Sequence, residues 1–180
     1  VSIIIVNYKT KGELFACIKS IYESMIGDSF EVIVIDNDEK RTVKQNLRKN
    51  FPEVIYLPNR NLGYSQGNNL GAKKAIGEYL FILNPDTKFY SGNISKLISL
   101  LEEDKNIGII APLLLDTENN PYELQGTKEL TPKRAIFSLS FLSRLFRNNK
   151  VYRDYYNIGW NKKTAIEVDV VPGTAFVIRK

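Results

Sequence analysis

One stretch of sequence decides the fold of this chain, and it runs Tyr79-Leu80-Phe81-Ile82-Leu83-Asn84-Pro85-Asp86-Thr87. Its first five residues form a short apolar run without polar alternation, which is typical of a strand buried on both faces of a sheet. Pro85 has no N–H group to donate and disfavours helix at the residue before it, so the strand must end here. We therefore expect Asp86 to lie just beyond the carboxyl end of a central strand, where open α/β sheets bind their ligands.

Asp86 is the first candidate for a chemical role. A carboxylate at such an edge can ligate a divalent cation that also holds substrate phosphates. The alternative is that Asp86 caps the next helix or bonds its own backbone in a turn. The short motif leaves both interpretations open.

Strand and helix patterns alternate along the chain. Strand patterns cover residues 2–6, 31–36, 54–57, 79–83 and 107–111, and helical patterns cover residues 13–24, 41–49, 64–75 and 93–103. Continuous apolar strands separated by amphipathic helices predict an α/β fold with a mainly parallel sheet covered on both faces. After Pro112 we expect a hairpin over residues 113–115 and 122–124, then two strands at residues 166–171 and 175–179.

The composition limits the kinds of catalytic and metal sites that the chain can form. The 180 residues contain no histidine and a single cysteine, Cys17, which we expect to be a small core residue. This excludes, within this chain, serine–histidine and cysteine–histidine catalysis, an internal disulfide and a histidine-based or cysteine-based zinc site. Metal chemistry must use carboxylates, so hard cations are the natural candidates. The net charge of +5 is mild and no nucleic-acid-binding signature is present, so we predict no nucleic-acid partner.

The sequence also bears on membranes. No apolar run approaches the roughly 20 residues that span a bilayer. Residues 133–147 are apolar and basic, which fits an amphipathic helix at a membrane surface or, as we favour, a helix that packs on the protein itself. The lone cysteine and the lack of a charged leader favour a cytoplasmic protein, with peripheral contact at the inner face of the cell membrane as a further interpretation.

Polar side chains follow three of the predicted strands where each one ends. Asn7 and Tyr8 follow the first strand, Asp36 and Asn37 close the second, and Asn84 follows the fourth. Because parallel strands end at one edge of a sheet, we expect these residues to lie together. There Asp36 can accept hydrogen bonds from a nucleobase or ribose and Tyr8 can stack on the base. The alternatives are a turn or helix cap for Asp36 and simple packing for Tyr8.

Residues 59–71 form a glycine- and asparagine-rich segment that enters a predicted helix. Its glycines allow close approach of the backbone to a neighbour. The segment lacks the lysine of a P-loop and the spacing of a dinucleotide-binding motif, so its composition alone favours a structural role.

Taken in order, these segments resemble glycosyltransferase family 2, and most closely its bacterial rhamnosyltransferase-like members. The resemblance covers essentially the whole chain and rests on residues 1–8, 34–37, 61–71, 77–87, 124–125 and 168–175. Each of these motifs is weak alone, whereas their ordered set is specific.

The resemblance implies a GT-A fold, which is Rossmann-like, and inverting transfer of a sugar from a nucleoside diphosphate donor. Residues 1–112 would bind the donor, and residues 113–180 would begin the acceptor-side half of the same domain. The implied partners are a dTDP-sugar or UDP-sugar donor, with rhamnose as the family-level choice of sugar, and a saccharide or lipid-linked acceptor.

The resemblance also implies site residues. The positions implied for the donor nucleotide are Val6, Tyr8, Asp36, Asn37, Gly63 and Asn84. Asp86 stands where the family has the second acid of its D-x-D motif and is the implied ligand of Mg²⁺ or Mn²⁺, while Asn84 replaces the first acid. Asp169 and Gly173 are candidates for the acceptor side, with a structural role at a strand end as the alternative for Asp169.

No residue is assigned as the catalytic base. Inverting transfer needs a carboxylate poised to take the proton of the acceptor hydroxyl. The family supplies it from beyond the segment that residues 174–179 resemble, so we expect a fragment that ends before the base region, since the chain ends at Lys180. Two alternatives remain. One is a module that binds nucleotide sugar or glycan without catalysis. The other is a sugar-phosphate nucleotidyltransferase, although residues 7–12 hold only one of the glycines such an enzyme needs.

Overall fold

The computed structural model describes residues 1–25, 29–90, 94–145 and 149–180. These residues form two compact units. Unit 1 comprises Val1–Ile110 and Gly173–Lys180, and unit 2 comprises Ala111–Pro172. The division into donor and acceptor halves at residue 112 is a functional one and stays a prediction.

The described part of unit 1 contains a six-stranded sheet with the order β3-β2-β1-β4-β6-β5. Its strands are β1 (Ser2–Asn7), β2 (Glu31–Asp36), β3 (Ile55–Pro58), β4 (Tyr79–Leu83), β5 (Ile109–Ile110) and β6 (Ala175–Arg179). The pairs β1–β2, β1–β4 and β2–β3 are parallel. β6 is antiparallel to β4 and β5. The predicted α/β architecture with a mixed, mostly parallel sheet is confirmed.

The helices described in unit 1 are α1 (Lys11–Ser24), α2 (Lys44–Asn50), α3 (Tyr64–Lys74) and α4 (Ile94–Glu103). They confirm the four predicted helices, with ends that differ by at most three residues where they can be compared. Asn93, the predicted start of the last helix, lies outside the described residues. Cys17 is fully buried on α1, as predicted for a core residue.

The core of unit 1 explains why β1 and β2 carry no polar alternation. Their central residues are buried on both faces of the sheet, and the apolar stripe of α1 is buried as well. On one face, Ile4 and Ile35 belong to a cluster against which Leu70 and Ala72 of α3 pack. A strand covered on both sides must be apolar at every position, which is the pattern seen in the sequence.

Two glycines let α3 approach the sheet closely. A Cβ atom added at Gly71 would lie 2.5 Å from Cγ2 of Ile4 and 2.8 Å from Cδ1 of Ile35. A Cβ atom at Gly67 would lie 2.9 Å from both Cγ atoms of Val6. The glycine-rich segment therefore has the structural role that its composition favours, because only a helix face without side chains fits at this distance.

Unit 2 departs from the predicted strands. Residues 166–171 form no strand, and within them Val170 makes a single antiparallel bridge with Thr127. The predicted hairpin likewise shrinks to one bridge, between Leu115 and Pro121. Pro121 has no N–H group for a ladder, and Val170 is half exposed, so neither segment gains the pairing and burial that hold a strand.

The helices described in unit 2 are α5 (Pro132–Leu139), α6 (Leu142–Leu145) and α7 (Lys150–Tyr155). The side chain of Thr131 caps the start of α5 by accepting a hydrogen bond from the N–H of Arg134. The apolar and basic segment predicted over residues 133–147 is thus two helices that meet near Ser140, and its last two residues, Phe146 and Arg147, lie outside the described residues. Among the helices the structure describes, none is long and apolar enough to cross a membrane.

The close packing of α3 generates a prediction. Gly71→Ala should lower the free energy of unfolding by about 1–3 kcal/mol, because the added methyl group forces the tightly packed Ile4 and Ile35 to move. Urea denaturation monitored by circular dichroism measures this change.

Gly12→Ala is the matched control, since Gly12 also lies in a helix and an added Cβ there meets no atom within 4 Å. It should be neutral or stabilise by about 0.5–1 kcal/mol. Equal effects of the two substitutions would contradict the packing argument.

Candidate functional site

The carboxyl ends of three parallel strands meet at one edge of the sheet. The register pairs Asn7 at the end of β1 with Asp36 at the end of β2, and β4 ends beside β1 at Leu83. β6 begins at the same edge because it is antiparallel to β4, and the backbone N–H of Asn84 donates to the carbonyl of Thr174 at 2.9 Å. This confirms that the predicted polar clusters share one edge.

Asp36 is the centre of a buried polar network at this edge. Its side chain has no exposed surface. Oδ1 accepts hydrogen bonds from Nδ2 of Asn7 at 2.9 Å and from the backbone N–H of Asp38 at 3.1 Å, and Oδ2 accepts one from the hydroxyl of Tyr56 at 2.8 Å. A buried carboxylate is tolerated only when it is hydrogen-bonded in this way. The Oδ2 atom retains acceptor capacity for one further donor.

Arg41 joins the loops that follow β2 and β3. Its guanidinium donates to the backbone carbonyl of Asp36 and, at 2.8 Å, to that of Asn59. The side chain of Asn59 donates to Oδ1 of Asn37 at 2.9 Å. Asn37 is thus buried and held between the two loops, which fixes the shape of the edge.

A basic cleft of about 360 Å³ opens beside the ends of β1 and β2. It is lined by Lys9, Lys11, Asp38, Lys40 and Thr42. The pKa of Asp38 lies below its ordinary value, first because the Thr42 hydroxyl donates to its Oδ2 atom at 2.9 Å, and it is therefore ionised. Three ammonium groups around one carboxylate leave the cleft positively charged, which suits an anionic ligand.

Tyr8 stands at the rim of the edge with 46% of its surface exposed. The Nζ atom of Lys9 lies over its ring, 4.9 Å from the centroid. An exposed ring at this place is available for stacking, and its predicted role as a platform for the base stays a prediction.

Asp86 lies exposed in the turn after β4. Burial raises the pKa of the Cys17 thiol to about 12, and the charge of Asp86 adds to the increase, so the thiol stays protonated at neutral pH. Burial likewise raises the pKa of Tyr64, again with a contribution from Asp86. Asp86 therefore lies within electrostatic reach of both α1 and α3. Asn84 fixes the turn, since its carbonyl accepts from the Thr87 hydroxyl at 2.6 Å.

The residues around Asp86 fit a metal ion that is shared with a ligand. Among the described residues, no group of three or more histidine, cysteine or acidic side chains comes together to hold a metal by itself. Mg²⁺ in phosphate sites is held by one or two carboxylates together with the substrate phosphates. One exposed carboxylate at a sheet edge matches that donor set.

Of the remaining predicted residues, Gly63, Val6 and Gly173 lie in unit 1, and Asp169 lies in unit 2. Gly63 precedes α3 with a φ of 98°, and the hydroxyl of Tyr64 donates to the carbonyl of Gly173 at 3.1 Å, which ties the start of α3 to the segment before β6. Val6 packs beneath Gly67. Asp169 belongs to unit 2, where its carboxylate accepts from the backbone N–H of Glu129 at 2.7 Å. That contact matches the structural alternative for Asp169, and its acceptor-side role stays a prediction.

Sequence reasoning missed Tyr56 and Arg41. Tyr56 reaches Asp36 because β3 pairs with β2 in a register that sets Tyr56 beside Val34, two residues before Asp36. The backbone of Arg41 has a φ of 52°, and its side chain contacts the loops that follow β2 and β3. No local pattern encodes either placement. The one available signal was the presence of a tyrosine, Tyr56, in the predicted strand that follows the strand ending at Asp36.

The Tyr56–Asp36 hydrogen bond generates a prediction. Tyr56→Phe should lower the free energy of unfolding at neutral pH by about 1.5–3 kcal/mol, because it removes a donor from a buried charge. Burial, and then the bond to the Asp36 carboxylate, raise the pKa of Tyr56 above its ordinary value of 10.0. The contribution is therefore complete below pH 10 and is lost as the pH rises through the folded-state pKa.

Urea denaturation at pH 7 and again above pH 10 measures both effects, and the difference between wild type and Tyr56→Phe should shrink at the higher pH. Tyr90→Phe is the control, because Tyr90 is largely exposed. A destabilisation by Tyr56→Phe no larger than that of the control would contradict the assigned hydrogen bond.

Comparison with known proteins identifies the family of the chain. The family model described as glycosyl transferase family 2 matches residues 2–180. A low-salt glycan biosynthesis hexosyltransferase, Agl10, from Haloferax volcanii is 32% identical over 140 residues, which cover 75% of this chain and 43% of the relative. A GalNAc(5)-diNAcBac-PP-undecaprenol beta-1,3-glucosyltransferase from Campylobacter jejuni is 30% identical over 152 residues, or 81% of this chain and 48% of the relative. The chain thus spans less than half the length of both relatives.

A solved structure shows the same fold. A mannosyltransferase from Pyrobaculum calidifontis, PcManGT, in complex with GDP-Man and Mn²⁺, superposes with a TM-score of 0.54 at 17% identity over 66% of this chain and 36% of that one. The predicted GT-A architecture is confirmed, and the family match covers nearly the whole chain. This protein belongs to glycosyltransferase family 2.

Proposed function

We propose that the protein is a glycosyltransferase that moves a hexosyl group from a nucleoside diphosphate sugar to a saccharide or lipid-linked acceptor, with inversion at the anomeric carbon. The observation that carries the proposal is an exposed carboxylate, Asp86, placed after β4 at the edge where the Asp36 network and the ring of Tyr8 also lie. Membership of glycosyltransferase family 2 supports it.

The donor would bind along the edge of unit 1. Tyr8 would stack on the base. Asp36 and Asn37 are buried, so they would contact the base or ribose after a local movement that exposes them. The hydrogen bonds from Asn7 and Tyr56 hold the Asp36 carboxylate at the edge until then. The lysines of the basic cleft would attract the anionic donor.

Asp86 would hold Mg²⁺ or Mn²⁺ against the diphosphate, with Asn84 in the same turn. When bound, the cation would offset the negative charge that develops on the departing diphosphate. The bond between the anomeric carbon and the diphosphate oxygen breaks as the acceptor oxygen bonds to that carbon from the opposite face. The acceptor proton passes to a base that we do not assign.

The nucleotide and the sugar of the donor are also part of the proposal. We propose a dTDP-sugar or a UDP-sugar, with rhamnose as the sugar that the resemblance to rhamnosyltransferase-like members favours. Both curated relatives carry names that refer to glycans or to an undecaprenol-linked glycan, which supports a saccharide or lipid-linked acceptor. We also propose that the protein acts in the cytoplasm.

The metal role of Asp86 generates a prediction. Calorimetric titration of the chain with dTDP, UDP and GDP, each with and without Mn²⁺, should show metal-enhanced binding of one of the first two. Asp86→Asn should weaken that binding by about tenfold or more in the presence of Mn²⁺, and far less in its absence, because it removes the charged ligand of the cation.

Glu103→Gln is the matched control, since it removes the same charge from an exposed position on α4. Equal losses in the two variants would contradict the role of Asp86. Nucleotide binding with no release of nucleoside diphosphate from any nucleotide sugar, even with saccharide acceptors present, would favour the non-catalytic binding module.

A further inference from the structure

The proposed sugar transfer makes no use of α5, α6 and the turn between them in unit 2. These elements carry four large apolar side chains with half or more of their surface exposed: Ile136 (50%), Leu139 (57%), Phe141 (72%) and Leu145 (68%). Lys133 and Arg144 lie on the same helices and are also exposed. We call these six residues the apolar-basic patch.

Helix α5 departs from the pattern of an ordinary surface helix at three positions. A helix on a soluble domain directs its apolar stripe towards the core and its polar residues outward. In α5, Ile136 and Leu139 point outward, whereas Ser138 is 4% exposed and its hydroxyl has no hydrogen-bond partner among the described residues. The exposed apolar side chains would therefore be stabilised by an apolar environment on the outer side of the helix. Water does not provide that environment.

The stretch of sequence that carries the patch is basic. Residues 131–150 contain five lysines and arginines and no acidic residue, which equals the net charge of the whole chain, so the remaining residues are balanced. Within this stretch Arg134 already pairs with Asp154, at 3.2 Å. Lys133 and Arg144 form no ion pair with the described residues, so both are available to an external negative charge. Basic residues that flank exposed apolar side chains are the signature of an interfacial helix on an anionic bilayer.

We propose that the apolar-basic patch docks unit 2 onto a lipid bilayer that contains anionic lipids. Leu139, Phe141 and Leu145 would enter the boundary between the headgroups and the acyl chains, and Lys133 and Arg144 would contact lipid phosphates. The proposal is independent of the sugar-transfer function, because it concerns attachment to the membrane surface and uses none of the residues at the sheet edge.

Vesicle cosedimentation tests the proposal directly. The 180-residue chain should sediment with vesicles of phosphatidylcholine mixed with phosphatidylglycerol, and far less with vesicles of phosphatidylcholine alone. Leu139→Gln/Phe141→Gln should weaken binding to the anionic vesicles by about tenfold or more, because two anchoring side chains are lost. Lys133→Gln/Arg144→Gln should weaken it by a similar factor, and raised salt should do the same.

Two double variants in unit 1 serve as matched controls. Ile76→Gln/Tyr90→Gln removes two exposed large side chains elsewhere on the surface, and Lys96→Gln/Lys105→Gln removes two exposed positive charges. Both should bind the anionic vesicles as wild type does, which separates the patch from overall hydrophobicity and net charge. Thermal denaturation of every variant confirms that it is folded.

Three results would overturn the proposal. The first is that the folded wild-type chain does not sediment with anionic vesicles. The second is that the patch variants bind no less than their controls. The third is that the chain self-associates through the patch, shown by sedimentation velocity as a dimer that Leu139→Gln/Phe141→Gln converts to monomer while vesicle binding is absent, which would assign the patch to a second copy of the chain.

Discussion

The edge of the sheet depends on one buried carboxylate. Asp36 carries a charge into a place without solvent, and the strand ends around it are arranged to satisfy that charge: Asn7 from β1, the N–H of Asp38 from its own loop and Tyr56 from β3. Leaving such a charge unpaired would cost several kcal/mol, so the three elements must keep their relative register. The parallel pairing of β1 with β2 and the shape of the following loops are thereby fixed together.

Helix α3 extends this constraint to the other face of the site. Its glycines bring it against Ile4, Val6 and Ile35, in the strands that carry Asn7 and Asp36. Its first residue, Tyr64, is tied by its hydroxyl to Gly173 at the start of the β6 segment, and Asn84 is tied by its backbone to Thr174. The turn that carries Asp86 is therefore anchored at its start, at Asn84, while the Asp86 carboxylate stays exposed, which suits a group that must meet an incoming ligand and a cation.

The two units differ in how their apolar and polar side chains are distributed between buried and exposed positions. In unit 1 the strands β1 and β2 are buried on both faces, and the Asp36 carboxylate at the edge is held by hydrogen bonds. In unit 2 the strands predicted at residues 113–115, 122–124 and 166–171 are reduced to isolated bridges, and α5 presents leucine and isoleucine outward while it buries a serine. The first pattern supports the proposed donor site. The second is the observation on which the proposed membrane docking rests.

The sequence by itself determined the α/β class, the four helices of unit 1 and the shared edge, because continuous apolar runs, helical periodicity and the proline after β4 are local signals. It also pointed to Asp36 and Asp86 as candidates. Only the tertiary structure decided that Asp36 is fully enclosed, that Tyr56 and Arg41 belong to its surroundings, and that residues 166–171 are not a strand. Those outcomes depend on the register between strands and on which faces find partners, and contacts between distant residues leave no local pattern in the chain.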